Sequence, residues 1–193
     1  MIKALAFLTD TFTRLYLLIL LLRFWLPLLR ANFRNPVAQG VLRYTSPLVT
    51  PVRRYIPAIG RIDTATVLVA FVLQYLTLLA LAALAKVDPG AAAFSPMPIA
   101  ASASTLAMVS VVQLASLSVT LFIVAIVIRI ILNLMGRYFG PISDMLVDLT
   151  EPMLKPVRRV IPPIGVVDLS AFIGIILLIA LNMVLSDLIP GMR

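Results

Sequence analysis

The 193-residue chain contains no cysteine and no histidine, and only 12% of its residues are charged. The absence of these two residue types excludes disulfides, thiolate nucleophiles, Cys/His zinc sites, His-centred triads and His-ligated haem. We therefore predict no metal site and no cofactor. Hydrophobic residues make up 62% of the chain and the mean hydropathy is +1.09, which together exclude an ordinary water-soluble domain.

Acidic residues are scarce as well. The chain has 8 Asp and Glu against 16 Lys and Arg, which gives a net charge of +8. The basic residues alternate with long apolar runs instead of gathering in one polar segment. This distribution favours anionic lipid head groups as partners and argues against nucleic acid.

Four apolar stretches are long enough to cross a bilayer, which takes about 20 helical residues. These stretches lie at residues 12–29, 64–85, 106–134 and 169–185. None of them contains Asp or Glu. Thr9, Asp10 and Thr11 interrupt the apolar run before the first stretch, and no small-residue cleavage site follows it. We therefore predict an uncleaved first membrane helix rather than a signal peptide.

The basic residues of the connections predict the orientation in the membrane. Six arginines lie between the first and second stretches, and four basic residues lie between the third and fourth. The middle link contains only Lys86. The positive-inside rule therefore places both basic connections in the cytoplasm and both termini outside it.

The two basic connections are copies of one sequence. Residues 45–63 align without gaps on residues 150–168, and 11 of the 19 positions are identical. The identical positions include Pro47, Pro51, Arg53, Arg54, Pro57, Gly60 and Asp63 in the first copy, and Pro152, Pro156, Arg158, Arg159, Pro162, Gly165 and Asp168 in the second. With one extra residue in the first copy, Arg23 also aligns with Arg129. We therefore predict a tandem duplication.

The predicted fold is an all-α integral membrane protein with four transmembrane helices in two helix–connection–helix repeats. The first repeat covers residues 1–90, an Ala/Pro-rich link covers 91–104, and the second repeat covers 105–193. Two spans per repeat give both copies the same orientation, so the pseudo-two-fold axis runs along the membrane normal.

Each connection is predicted to begin with a short amphipathic helix along the membrane surface, because apolar residues recur at helical spacing after Pro36 and after Pro141. The prolines that follow in each copy are four residues apart. This spacing allows a turn of helix that starts at proline but no long regular helix.

An apolar helix with an arginine near its inner end, then Pro-x-x-x-Pro-Val-Arg-Arg-x-Ile-Pro-x-x-Gly-x-x-Asp, then a second apolar helix, occurs twice. This pattern resembles the YggT family of bacterial membrane proteins and their YlmG-like relatives, over nearly the whole chain. The resemblance implies a multi-pass protein of the bacterial inner membrane. It also implies roles in osmotic-shock tolerance, in cell division or nucleoid distribution, or in cytochrome b assembly. Without His or Cys, a haem-related role would be that of an assembly factor.

The arginine pairs Arg53–Arg54 and Arg158–Arg159 have two interpretations. They could be interfacial anchors for lipid phosphates, each worth about 1 kcal/mol near an anionic surface. Alternatively, the flanking prolines could fix the guanidinium groups so that they pair with carboxylates of a partner or of the other repeat.

Asp63 and Asp168 each precede an apolar stretch, and the leading interpretation is a helix N-cap. The alternative is an ion pair with the arginine pairs or with the membrane arginines Arg23 and Arg129. For these membrane arginines, anchoring or packing onto the connection is favoured over transport, because both lie near the predicted cytoplasmic ends.

The predicted function is that of a non-enzymatic scaffold or assembly and stress-tolerance factor, with a homo-oligomer or a membrane protein as partner. Polar groups are too sparse to line a pore inside one copy. The alternative is an ion or solute pathway between protomers, with Arg23 and Arg129 facing a wetted interface. An intramembrane enzyme has the least support, because no nucleophile–base pair can be assembled at membrane depth.

Overall fold

The structure is a computed structural model that describes residues 1–32, 34–60, 62–94, 102–136, 140–160 and 168–189. In these residues the chain forms six α-helices and one short 3₁₀ helix, with no β-strand. The helices are α1 (Ile2–Leu28), α2 (Pro36–Arg53), α3 (Thr64–Val87), the 3₁₀ helix (Pro89–Phe94), α4 (Ala103–Leu134), α5 (Pro141–Val160) and α6 (Leu169–Asp187).

Four of these helices, α1, α3, α4 and α6, are long and apolar enough to cross a membrane. Between 17% and 28% of the most apolar window of each is buried within the chain, so most of their apolar surface faces outward. This confirms the predicted all-α multi-pass membrane fold with two amphipathic connections.

The first membrane helix is longer than predicted, because α1 begins at Ile2 and not near residue 12. The polar residues before the apolar stretch make contacts within the helix. Thr9 Oγ1 donates to the Leu5 carbonyl at 2.8 Å, and Arg14 Nε donates to Asp10 Oδ1 at 2.7 Å. Asp10 therefore lies within α1 but before the predicted stretch 12–29, which itself contains no acidic residue.

Each repeat is an antiparallel helix pair, α1 with α3 and α4 with α6. Leu17 and Leu20 pack against Ala65 and Ala70 in the first pair. The two pairs meet mainly through α3 and α4, and α1 also contacts α4. We call the end of the bundle that carries α2 and α5 the connection end, and the end that carries the 3₁₀ helix the opposite end.

The connection helices are much longer than predicted. Helix α2 continues through Pro47 and Pro51 for 18 residues, and α5 continues through Pro152 and Pro156 for 20 residues. Four-residue spacing keeps both prolines of a helix on one exposed face, away from the packed face.

Side chains add further hydrogen bonds to carbonyls in the turn before the first proline of α2. Thr45 Oγ1 donates to the Val41 carbonyl, and Ser46 Oγ donates to the Leu42 carbonyl, each at 2.6 Å. Arg23 Nη1 donates to the same Leu42 carbonyl at 3.3 Å. The carbonyl that loses its helix donor at Pro47 is that of Arg43, which these bonds do not reach. The proline is tolerated because the apolar face of α2 packs against the bundle.

Both connection helices pack on the membrane helices and on each other. Asn35 caps α2 by accepting from the Val37 N–H at 2.9 Å, and its Nδ2 donates to the Pro141 carbonyl at 2.5 Å. The Asn32 N–H donates to Asp148 Oδ2 at 3.0 Å. These bonds join the connections of the two repeats at the connection end.

Candidate functional site

The site at the connection end starts from a tight turn before α3. Gly60 has φ +62°, a left-handed conformation that glycine adopts without steric strain. Around it, Ile59 and Ile62 exchange two backbone hydrogen bonds of 3.1 Å. Thr64 Oγ1 then donates to the Pro57 carbonyl at 2.8 Å. The turn fixes the start of α3 and places Asp63 close to Arg23 of α1.

Asp63 is the centre of the polar cluster in the first repeat. Its carboxylate caps α3 by accepting from the Thr66 N–H at 3.4 Å and from Thr66 Oγ1 at 2.8 Å. Arg53 Nη2 donates to Asp63 Oδ2 at 2.5 Å. Asp63 is 4% exposed, so this charge depends on its partners rather than on water.

Arg23 completes the cluster from the membrane helix α1. It is 4% exposed, and its Nη1 donates to Thr45 Oγ1 at 2.8 Å. Its Nε lies 3.6 Å from Asp63 Oδ2 and makes no hydrogen bond. Asp63 therefore supplies the counter-charge of the buried Arg23 while it also holds Arg53.

The second repeat builds a similar cluster with one added carboxylate. Arg129 Nη1 donates to Thr150 Oγ1 at 2.7 Å, as Arg23 does to the equivalent Thr45. Its Nη2 donates to Glu151 Oε2 at 2.9 Å. Glu151 also accepts two bonds from Arg158 Nη1, at 2.8 and 3.0 Å. Glu151 therefore bridges the two arginines of this repeat.

Asp168 pairs with Arg158 Nη2, which matches the pairing of Asp63 with Arg53. Burial opposes the charged form of Arg158, but the hydrogen bonds and charges of Asp168 and Glu151 outweigh it and raise the pKa of Arg158. Burial likewise opposes ionisation of Asp168, but bonds from Ser170 and Arg158 and the charge of Arg158 lower the pKa of that carboxyl. Both groups are therefore held in their charged forms.

These contacts decide between the predicted roles of the aspartates. The N-cap interpretation is confirmed for Asp63, which bonds the Thr66 N–H. Asp168 also occupies the N-cap position, but its side chain makes no capping bond to the backbone and accepts from the Ser170 hydroxyl instead. The alternative, an ion pair with the arginines, is present in both repeats.

The arginine pairs divide their contacts in the same way in both copies. The first arginine of each pair, Arg53 or Arg158, binds the aspartate of its own repeat, not the other repeat as one hypothesis held. The second arginine, Arg54 or Arg159, is exposed. We call these four residues the arginine platform.

Other predicted motif residues have structural positions. Pro47, Pro51, Pro152 and Pro156 lie on the exposed faces of α2 and α5. Pro57 and Gly60 form the turn before α3. Pro162 and Gly165 lie outside the described residues. Within the described ranges no group of three or more Asp or Glu side chains could hold a metal ion.

Sequence reasoning missed Thr45, Thr150 and Glu151. The two threonines are fully buried beneath the membrane arginines. The sequence did mark both threonines, because Thr45 and Thr150 are the first identical pair of the aligned segments 45–63 and 150–168. Glu151 carried no such signal, since the equivalent position in the first copy is Ser46.

Relatives match this chain over almost its whole length. The family model described as CCB3/YggT matches residues 2–84 and 108–189. An uncharacterized protein from the proC 3′ region of Vibrio alginolyticus is 37% identical, over 97% of this chain and 96% of that protein. The uncharacterized protein YggT of Escherichia coli K12 is 31% identical, over 98% and 93%. No solved structure matches significantly. With both repeats matched, the chain belongs to the CCB3/YggT family.

Proposed function

We propose that this protein is a non-enzymatic scaffold or assembly factor of the bacterial inner membrane that recruits a membrane protein partner through the arginine platform. The observation that carries the proposal is that the two arginines of each pair differ in their contacts. Arg53, although 48% of its side chain is exposed, and Arg158 each pair with an aspartate of the chain. Arg54 and Arg159 are exposed and form no ion pair with the described residues.

The internal ion pairs give the exposed arginines a defined direction. Each pair joins the last turns of a connection helix to the start of the next membrane helix. The neighbouring Arg54 or Arg159 is therefore carried on a braced backbone, which lowers the entropy lost when it binds an external anion. Arginine suits this role because its planar fork pairs with carboxylates and phosphates.

The two connections support different contacts with their surroundings. Helix α2 contains no acidic residue, and it exposes Tyr44 next to Arg43, while Tyr55 follows Arg54. Basic and aromatic residues together favour the interface of an anionic membrane. In helix α5, Asp148 and Glu151 are bonded within the chain, while Lys155 and Arg159 are exposed. These exposed cations favour an acidic surface of a protein partner.

In this proposal both connections lie in the cytoplasm and both termini lie outside it, as the positive-inside rule requires. A reporter fused after Arg193 tests the orientation. We expect a signal outside the cytoplasm, and a cytoplasmic signal would invert the assignment.

The test of the scaffold uses the double variant Arg54→Gln/Arg159→Gln, because it removes the exposed arginines and keeps the internal ion pairs. The matched control is Arg43→Gln/Lys155→Gln, which removes one exposed cation from each connection helix at a position that is not identical in the two copies. Both variants should insert and fold. Tagged proteins are purified from native membranes in mild detergent, and co-purifying proteins are quantified by mass spectrometry.

We expect a reproducible partner with the wild-type protein and with the control, and its loss with Arg54→Gln/Arg159→Gln. Survival of osmotic shock, the role that family resemblance implies, should fall in the same variant. Equal recovery of partners in all three proteins would refute the platform as a recruitment surface.

The alternative of an ion pathway between protomers gains less support from the geometry. The Arg23 guanidinium lies inside the first repeat, with 5% of its side chain exposed and Asp63 as its counter-charge. A pathway between protomers would therefore not be lined by Arg23.

A further inference from the structure

The opposite end of the bundle contains a cavity of about 720 Å³ between the two repeats. Helices α1 and α3 of the first repeat and α4 and α6 of the second repeat all line it. Phe94 and Ile189 lie on its lining near the ends of their helices. Small-molecule sites commonly have about 300 to 1,000 Å³. We call this cavity the polar vestibule.

The lining of the polar vestibule combines apolar surface with a set of polar side chains that carry no net charge. Its two charged residues, Asp10 and Arg14, pair with one another at 2.7 Å. Gln74 Nε2 of α3 donates to Gln113 Oε1 of α4, which joins the two repeats. One copy of the chain therefore brings together more polar side chains than the sequence analysis predicted.

The amide groups in the vestibule retain hydrogen-bonding capacity. Ser116 Oγ donates to Asn182 Oδ1 at 2.5 Å, which leaves the Asn182 amide nitrogen as a donor. The Gln74–Gln113 pair uses one donor and one acceptor, so it keeps one amide nitrogen and one oxygen for a further partner. The vestibule therefore offers donors and acceptors side by side.

These groups lie deep within apolar helices. Gln113 and Ser116 come about 15 and 20 Å after the start of α4 at Ala103, at 1.5 Å per residue. Spare amide groups are costly at such depth unless water or a ligand binds them.

We propose that the polar vestibule is a water-filled binding site for small uncharged polyhydroxy solutes. A hydroxyl group both donates and accepts, so such a solute matches the mixed amide lining. A free ion would find no net counter-charge, because Asp10 and Arg14 neutralise each other. The site is independent of the proposed scaffold, since the arginine platform does not line it.

The chain contains no cysteine, so an introduced cysteine is its single thiol. The test uses three serines of one helix, α4. Ser116→Cys places the thiol in the vestibule, Ser104→Cys places it at the exposed start of the helix, and Ser110→Cys places it at a fully buried position. Each variant is reconstituted in nanodiscs and treated with a small water-soluble methanethiosulfonate, with or without sorbitol as the probe solute.

We expect Ser104→Cys and Ser116→Cys to react readily, and Ser110→Cys to react at least about tenfold more slowly because a buried thiol needs local opening. Sorbitol should protect Ser116→Cys saturably, with about tenfold slowing at ten times its dissociation constant. It should leave Ser104→Cys unchanged, and potassium chloride at equal osmolality should protect neither.

Reaction of Ser116→Cys as slow as that of Ser110→Cys would show that the vestibule is not water-filled, and Thr120→Cys repeats this readout on the same lining. Reaction without protection by sorbitol, or equal protection by potassium chloride, would overturn the assignment of the solute class. Partner recovery with the arginine variants is measured separately, so failure of one proposal is distinguishable from failure of the other.

Discussion

Replacing Asp63 by Asn should destabilise the fold far more than the equivalent change in the second repeat. Asn keeps an oxygen that can accept from the Thr66 N–H, so the cap of α3 survives. The carboxylate charge is lost, however, and Arg23 at 4% exposure is left without a counter-charge. Removal of one partner of a buried ion pair costs about 3 to 5 kcal/mol. We expect the free energy of unfolding to fall by that amount.

Asp168→Asn is the matched control, because Glu151 remains in the second repeat. Arg158 keeps its two bonds to Glu151, and Arg129 also pairs with Glu151. The loss is one hydrogen bond between charged groups, about 1.5 to 3 kcal/mol at most. The free energy of unfolding is measured by SDS titration of each protein in mixed micelles, with helicity followed by circular dichroism.

A double-mutant cycle separates the buried charge from other effects of the substitution. Arg23→Leu in the Asp63→Asn background removes the unpaired guanidinium, so we expect part of the lost stability to return. An Asp63→Asn variant no less stable than Asp168→Asn would refute the reasoning. Further destabilisation by Arg23→Leu equal to its effect in the wild type would refute it as well.

Two further predictions concern backbone strain and pH. Gly60→Ala should lower the free energy of unfolding by about 1 to 2 kcal/mol, because alanine at φ +62° is strained. Gly40→Ala within α2 should be neutral or stabilising, because nothing obstructs the added Cβ. SDS titration of both variants measures this difference. The lowered pKa of Asp168 means that its stabilising contribution is complete above its ordinary pKa of 3.8 and is lost as pH falls through the lowered value. The stability difference between the wild type and Asp168→Asn should therefore shrink below pH 3.8, and a constant difference down to pH 2 would contradict the ion pair.

The repeat made part of the site predictable from the sequence. Asp63, Asp168 and the arginine pairs are identical in both copies, and a charge beside an apolar helix needs an opposite charge nearby. The pairing of one particular arginine with each aspartate depends on the long proline-containing helices, whose continuation local propensity does not predict. Tertiary packing of their apolar faces overrides the proline penalty.

The polar vestibule was hidden from the sequence for a different reason. Its residues are single polar side chains several positions apart on helices that are otherwise apolar, and each alone is unremarkable. Gln74 and Gln113 meet only because α3 and α4 pack together between the repeats. Periodicity within one segment carries no information about such a contact.

The duplication itself explains why the two ends of the molecule differ. The offset that aligns Arg23 with Arg129 also aligns Asp10 with Ser116 and Arg14 with Thr120. These last four residues all line the polar vestibule, so equivalent positions of α1 and α4 lie on one cavity near the pseudo-two-fold axis. One copy supplies an ion pair there and the other supplies hydroxyls. The connection end has the same arginine and aspartate in both copies, because each copy uses them for the same ion pair. At the opposite end the equivalent residues of the two copies differ, as expected where both copies contribute to one shared cavity.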